Sequence, residues 1–112
     1  MKLDFMSLHQ QKCVPCKGGI PLSKEAAHAL LSQLSGWQIS GDEKWLSKKW
    51  SFKNFVQSQA FVNKVGELAE AEDHHPDILF GWGYAEIRLQ THSVGGLHEN
   101  DFILAAKIDT IQ

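Results

Sequence analysis

The sequence has no long hydrophobic run, little cysteine and no surplus of positive charge. No apolar stretch within its 112 residues approaches the roughly 18 consecutive residues that a membrane-spanning helix needs. The opening segment MKLDFMSLHQQK carries Asp4 and no continuous apolar core, so it does not read as a secretory leader. A cytoplasmic protein without membrane association is expected. Lysine and arginine number 11 against 13 aspartates and glutamates, a net charge of −2. Domains that grip phosphate backbones carry a basic excess, so direct nucleic-acid binding is not expected. Internal repeats and low-complexity segments are also missing. That leaves one folded unit over residues 21–112 behind a loosely structured lead-in over residues 1–20.

The two cysteines, Cys13 and Cys16, form a solitary CVPC. A structural disulfide lacks support without a secretory context. A zinc site wants four ligands, and with no second cysteine pair His9 is the nearest third. A thioredoxin-type dithiol should follow a strand, and the preceding residues show no strand pattern. A redox dithiol, part of a metal site and no chemical role at all stay open.

What is present is ordinary in bulk, with 43% apolar and 21% charged residues, enough at this length for one hydrophobic core. Ser23 caps a helix whose stripe is Ala27, Leu30, Leu31 and Leu34, with Gly36 past its end. Trp37–Ser40 and Lys44–Phe52 read as strands joined by a tight turn. In the second, Leu46, Lys48, Trp50 and Phe52 share a face, and Lys48 interrupts its apolar side. Asn54 and Gln57 suggest a capping box for a long helix with Phe61 or Val62, Val65, Leu68 and Ala69 inward, running to about Asp73 before Pro76 forbids continuation. Ile78–Trp82 and Tyr84–Thr91 form two more strands, and a final helix carries Leu97, Leu104, Ile108 and Ile111. The order α-β-β-α-β-β-α with short connections predicts an α+β fold, a four-stranded antiparallel sheet with helices packed on one face.

Six histidines in so short a chain raise the prospect of proton transfer or metal ligation. Glu67, Glu70, Glu72 and Asp73 crowd a helix C-terminus that is already electronegative, and His74 and His75 follow them. Such breaches of local consistency are expected at functional sites, and both acids and helix end favour the imidazolium form. An exposed acidic helix end followed by a plain turn is the alternative. His92, at the end of the clearest strand, can reach the same rim. Asp101 falls on the apolar stripe of the final helix, where a lone charge is expensive. Burial there requires donors, a histidine ring N–H or backbone amides; a first-turn position favouring the dipole is the other explanation. His9, His28 and His98 read as incidental, His98 as an exposed, weak N-cap. Metal ligation by His74, His75 and His92, with the nearby acids as hard ligands, stays open as the lesser alternative, although the spacing matches no zinc motif.

Taken in order, Glu70, His74-His75-Pro76, Trp82, His92 and Asp101 resemble the signature of the pterin-4a-carbinolamine dehydratase family, with matching spacing throughout. The likeness extends over nearly the whole chain, and the cysteine-bearing lead-in is similar to that of bacterial-type members. Trp82 stands where some members have tyrosine and His98 where some have serine. The resemblance implies dehydration of a 4a-hydroxytetrahydropterin, released by aromatic amino acid hydroxylases, to the quinonoid dihydropterin, without metal or organic cofactor. It implies His74, His75 and His92 as catalytic residues, with Asp73, Gln90, Thr91 and Ser93 also near the pterin and Glu70, Pro76, Trp82 and Asp101 in support. Trp37, Trp45, Trp50 and Trp82 are candidates for an aromatic wall, at least two of them being core. A homodimer or homotetramer is implied. Two alternatives stand beside this reading: a co-regulator acting through its last helix, and a dehydratase serving molybdopterin metabolism.

Overall fold

A computed structural model describes residues 7–15 and 19–111. Ser23 Oγ accepts the Ala26 N–H at 3.1 Å and so opens α1 (Lys24–Leu31). The strands are β1 (Gln38–Ile39), β2 (Leu46–Ser51), β3 (Asp77–Gly81) and β4 (Tyr84–Leu89), and the longer helices are α2 (Phe55–Glu72) and α3 (Glu99–Ile108). The sheet runs β1-β2-β4-β3 with every neighbour antiparallel. This is the expected α+β architecture. The β3–β4 hairpin returns β4 beside β2, while α2 crosses the inner face.

β1 is shorter than its sequence pattern because side chains take over the turn. Ser40 Oγ accepts from the Trp45 N–H and Asp42 Oδ1 from the Lys44 N–H, satisfying amides that would otherwise extend the ladder. The Ser40 hydroxyl and the Lys44 amide together hold the Asp42 carboxyl below the usual range. Asn54 caps α2 as predicted, through Gln57 N–H at 2.9 Å, but the Gln57 side chain reaches back to the Lys53 amide rather than to Asn54.

Alternation delivers Ala85, Ile87 and Leu89 of β4 and Leu46 of β2 to one buried face. Phe61, Val65 and Ala69 of α2 and Phe102, Leu104, Ala105 and Ile108 of α3 complete the core. Lys48 lies on that same face. Its stem crosses the apolar surface, and its ammonium donates to the Ser35 carbonyl and to Asp109 Oδ1, each at 2.9 Å. Trp37 Nε1 donates to the other oxygen of Asp109.

Three expectations need correction. α3 begins at Glu99, so Leu97 sits in the preceding turn, and the apolar face of α3 is not offered to a partner: Leu104 and Ile108 are fully buried in the chain's own core. His98 is not incidental, because it caps α3 by accepting the Asn100 N–H at 3.0 Å. The lead-in is not loose over residues 7–15. Leu8, at 4% exposure, is buried against α3 within a short 3-10 turn, and Lys107 Nζ donates to the His9 carbonyl. Cys16 lies outside the described residues, as do Lys17 and Gly18.

Ile87→Ala should lower stability by about 2–5 kcal/mol in urea denaturation. Leu79→Ala, on the solvent face of β3 at 57% exposure, should cost less than about 1 kcal/mol.

Candidate active site

Asp73 turns the chain out of α2. It occupies the left-handed region at φ 53°, ψ 43°, which aspartate tolerates better than most residues. Its amide donates to the Glu70 carbonyl at 3.3 Å and the His74 amide to the Ala69 carbonyl at 3.2 Å. That pair of bonds is a Schellman closure with aspartate in the position glycine usually holds. Extended backbone before Pro76 then carries His74 and His75 into β3.

The turn brings His74 to Asp101, in the first turn of α3. Asp101 is completely buried, and its carboxylate accepts three donors: His74 Nε2–H at 2.6 Å, the Thr91 hydroxyl at 2.8 Å and the His98 amide at 3.0 Å. Both sequence explanations of this residue therefore hold together, since it meets a ring N–H and a backbone amide while occupying the helix N-terminus. As the acceptor in this set, the carboxylate matches the His74 tautomer that carries its proton on Nε2.

His75 takes a different partner, the Glu70 carboxylate on the same helix end. Both side chains are more than half exposed, so the pair orients the ring more than it stabilises the fold. Beyond β4, Thr91 pairs with Gly96 in an isolated bridge. His92 opens the short 3-10 turn between them, exposed, with Trp45 edge-on at 6.3 Å between ring centroids. Gln90 Nε2 donates to the Lys44 carbonyl and ties the β1–β2 turn to the same rim.

These elements enclose a pocket of about 580 Å³, well within the range of small-molecule sites. Asp73, His74, His75, Gln90, Thr91, His92 and Ser93 all line it. Glu70 and Asp101 stand behind the histidines, and Pro76 ends the turn. Trp82 does not join them. It sits 71% exposed in the β3–β4 turn, roughly 20 Å along β3 from Pro76 at the usual strand rise. Trp37 and Trp50 belong to the core, edge to face with each other. Trp45, under the Arg88 guanidinium and beside His92, is the tryptophan nearest the site.

The remaining wall was not legible in the sequence. Lys12, Cys13, Val14 and Pro15 close one side, together with Glu72 and Asn100. Glu72 accepts the Cys13 amide at 2.9 Å and lies near the ammonium groups of Lys107 and Lys12, at 3.8 and 3.9 Å. Lysines distant in sequence thus offset the acidic helix end. Burial, and then the Glu72 carboxylate beside it, push the Cys13 thiol up to about 12. At neutral pH that thiol is protonated and a poor nucleophile or metal ligand. Among the described residues no group of three or more histidine, cysteine, aspartate or glutamate side chains is arranged to hold a metal ion. No described helix is long and apolar enough to cross a membrane.

Comparison with known proteins places this geometry in context. Residues 20–111 match the profile of the family described as pterin 4 alpha carbinolamine dehydratase. A provisionally named pterin-4-alpha-carbinolamine dehydratase of Halorhodospira halophila is 52% identical over 107 residues, covering 95% of this chain and 98% of its own. Its counterpart in Rubrobacter xylanophilus is 51% identical over 105 residues, covering 93% and 97%. Among solved structures, a transcriptional coactivator/pterin dehydratase from Brucella melitensis superposes with a TM-score of 0.75 at 28% identity, over 80% of this chain and 95% of that one. A pterin dehydratase-like protein described as a RuBisCO assembly factor in the alpha-carboxysome gives a TM-score of 0.58 at 29% identity, over 67% and 87%. The chain belongs to the pterin-4a-carbinolamine dehydratase family.

Proposed function

We propose that this protein eliminates water from a 4a-hydroxytetrahydropterin to give the quinonoid dihydropterin, by acid–base catalysis with histidine. The observation that carries the reading is the His74–Asp101 pair at the inner wall of a pocket whose rim holds two more imidazoles. Dehydration requires one proton delivered to the departing 4a-hydroxyl and another removed from N5, so the bonds broken are C4a–O and N5–H. With Nε2 engaged by Asp101, His74 exchanges protons through Nδ1, and the buried carboxylate stabilises the imidazolium that forms. His92, across the pocket mouth, is the second proton carrier. His75, steadied by Glu70, positions the ring, and Asp73 with Gln90 to Ser93 supply polar groups along its edge. On this reading an aromatic amino acid hydroxylase supplies the substrate and dehydration serves the recycling of its tetrahydropterin.

A purely binding role, such as the coactivator or assembly-factor descriptions of structural relatives suggest, needs a surface but no catalytic dyad. Burying a carboxylate to orient a pocket histidine favours the enzyme.

The test is spectrophotometric dehydration of chemically prepared 4a-hydroxytetrahydropterin. His74→Ala and His92→Ala should each slow turnover by about 10²–10⁴-fold while circular dichroism still reports the native fold. Near-normal turnover in both variants would remove the assignment. Asp101→Asn should lose at least about tenfold in rate and also about 1–3 kcal/mol of stability, because an amide cannot accept all three donors.

A further inference from the structure

Residues 12–15 close the pocket through main-chain anchors that the proton transfers do not use. Asn100, buried at 2% exposure, pairs with Val14 like one step of a β-ladder. The Val14 amide donates to Asn100 Oδ1 at 3.0 Å, and Asn100 Nδ2 donates to the Val14 carbonyl at 2.6 Å. From the opposite side Glu72 accepts the Cys13 amide. Upstream, buried Leu8 and the bond from Lys107 to His9 fasten the strap to α3. The strap lies ahead of residues 20–111, the span matched by the family profile, and within the length over which the Halorhodospira relative aligns.

The anchors are specific where the wall itself is plain. Val14 is 56% exposed and fills no core, so packing alone does not explain a buried amide side chain devoted to its backbone. A buried asparagine keeps its amide satisfied only while its partners stay in place. Asn100 precedes Asp101 and Glu72 lies close before His74, so the two clamps grip the helix ends that the dyad bridges. A bicyclic heterocycle resting against the histidines needs a second wall, and residues 12–15 are placed to supply it.

We infer that the strap is a substrate-binding wall and that Asn100 is its positioning residue, setting affinity for the pterin rather than the rate of proton transfer. The inference rests on the pterin reading above. Asn100→Ala should speed hydrogen exchange at the Cys13 and Val14 amides. It should raise KM for 4a-hydroxytetrahydropterin at least about fivefold while kcat stays within about twofold. Glu72→Ala releases the strap from its other anchor and should move KM in the same direction, which keeps the test sound if Asn100→Ala folds poorly. Faster exchange in the strap with an unchanged KM would overturn the inference and leave the dehydratase reading intact. Absence of turnover by the unaltered protein would instead overturn the dehydratase reading. The strap is then judged by whether a stable dihydropterin slows exchange at residues 12–15: protection supports the wall, and its absence overturns it.

Discussion

Everything at the site depends on one carboxylate sealed from water. Isolated, Asp101 would be among the costliest groups a small core could contain. It is tolerated because donors arrive from three parts of the chain: a ring N–H from the turn after α2, a hydroxyl from the end of β4, and an amide from the start of α3. Among the described residues no buried side-chain nitrogen or oxygen lacks a partner. The three donors cannot be met unless the helix ends and the sheet edge converge, so the same charge that orients His74 also specifies how α2, β4 and α3 meet. Satisfied networks of this kind are a means of selecting a single packed arrangement.

Much of this was legible beforehand because it rests on local chemistry. Alternation in Ala85, Ile87 and Leu89 revealed the buried face of β4. Ser23 and Asn54 marked helix starts, and the acids ahead of His74 and His75 broke a rule that structured helices normally obey. Asp101 announced itself as a charge on an apolar stripe. Where the reading failed, the cause was contact between residues far apart in sequence. Leu8 carries no periodicity that would predict burial, and Asn100 looks like any polar residue in a first helical turn. The compensation of Glu72 by Lys107 has no local trace. His98 was undervalued because imidazole is an uncommon N-cap, yet a ring nitrogen lone pair accepts an amide proton well. Trp82 stood out as an aromatic at a matching position, and only the length of β3 separates it from the pocket.

The same separation explains how the core and the pocket coexist in so short a chain. β4 gives its inward residues to the hydrophobic core and then, within a few positions, delivers Thr91 and His92 to the rim. α2 does likewise, passing from Val65 and Ala69 to Glu72 and Asp73. Apolar packing over most of each element fixes the angle at which its polar end emerges. A change in core volume under Ile87 or Val65 would therefore be felt as a displacement of the polar groups at the rim.

The bonds from Val14 to Asn100 and from His9 to Lys107 link positions 86 and 98 residues apart. Contacts of such span carry the largest loop-closure entropy and tend to form late. During synthesis the sheet and α2 can pair while α3 is still emerging, but Asp101 and the strap's partners Asn100 and Lys107 are in place only once α3 docks. A nascent chain of this protein thus completes its core and its pocket together, when α3 docks.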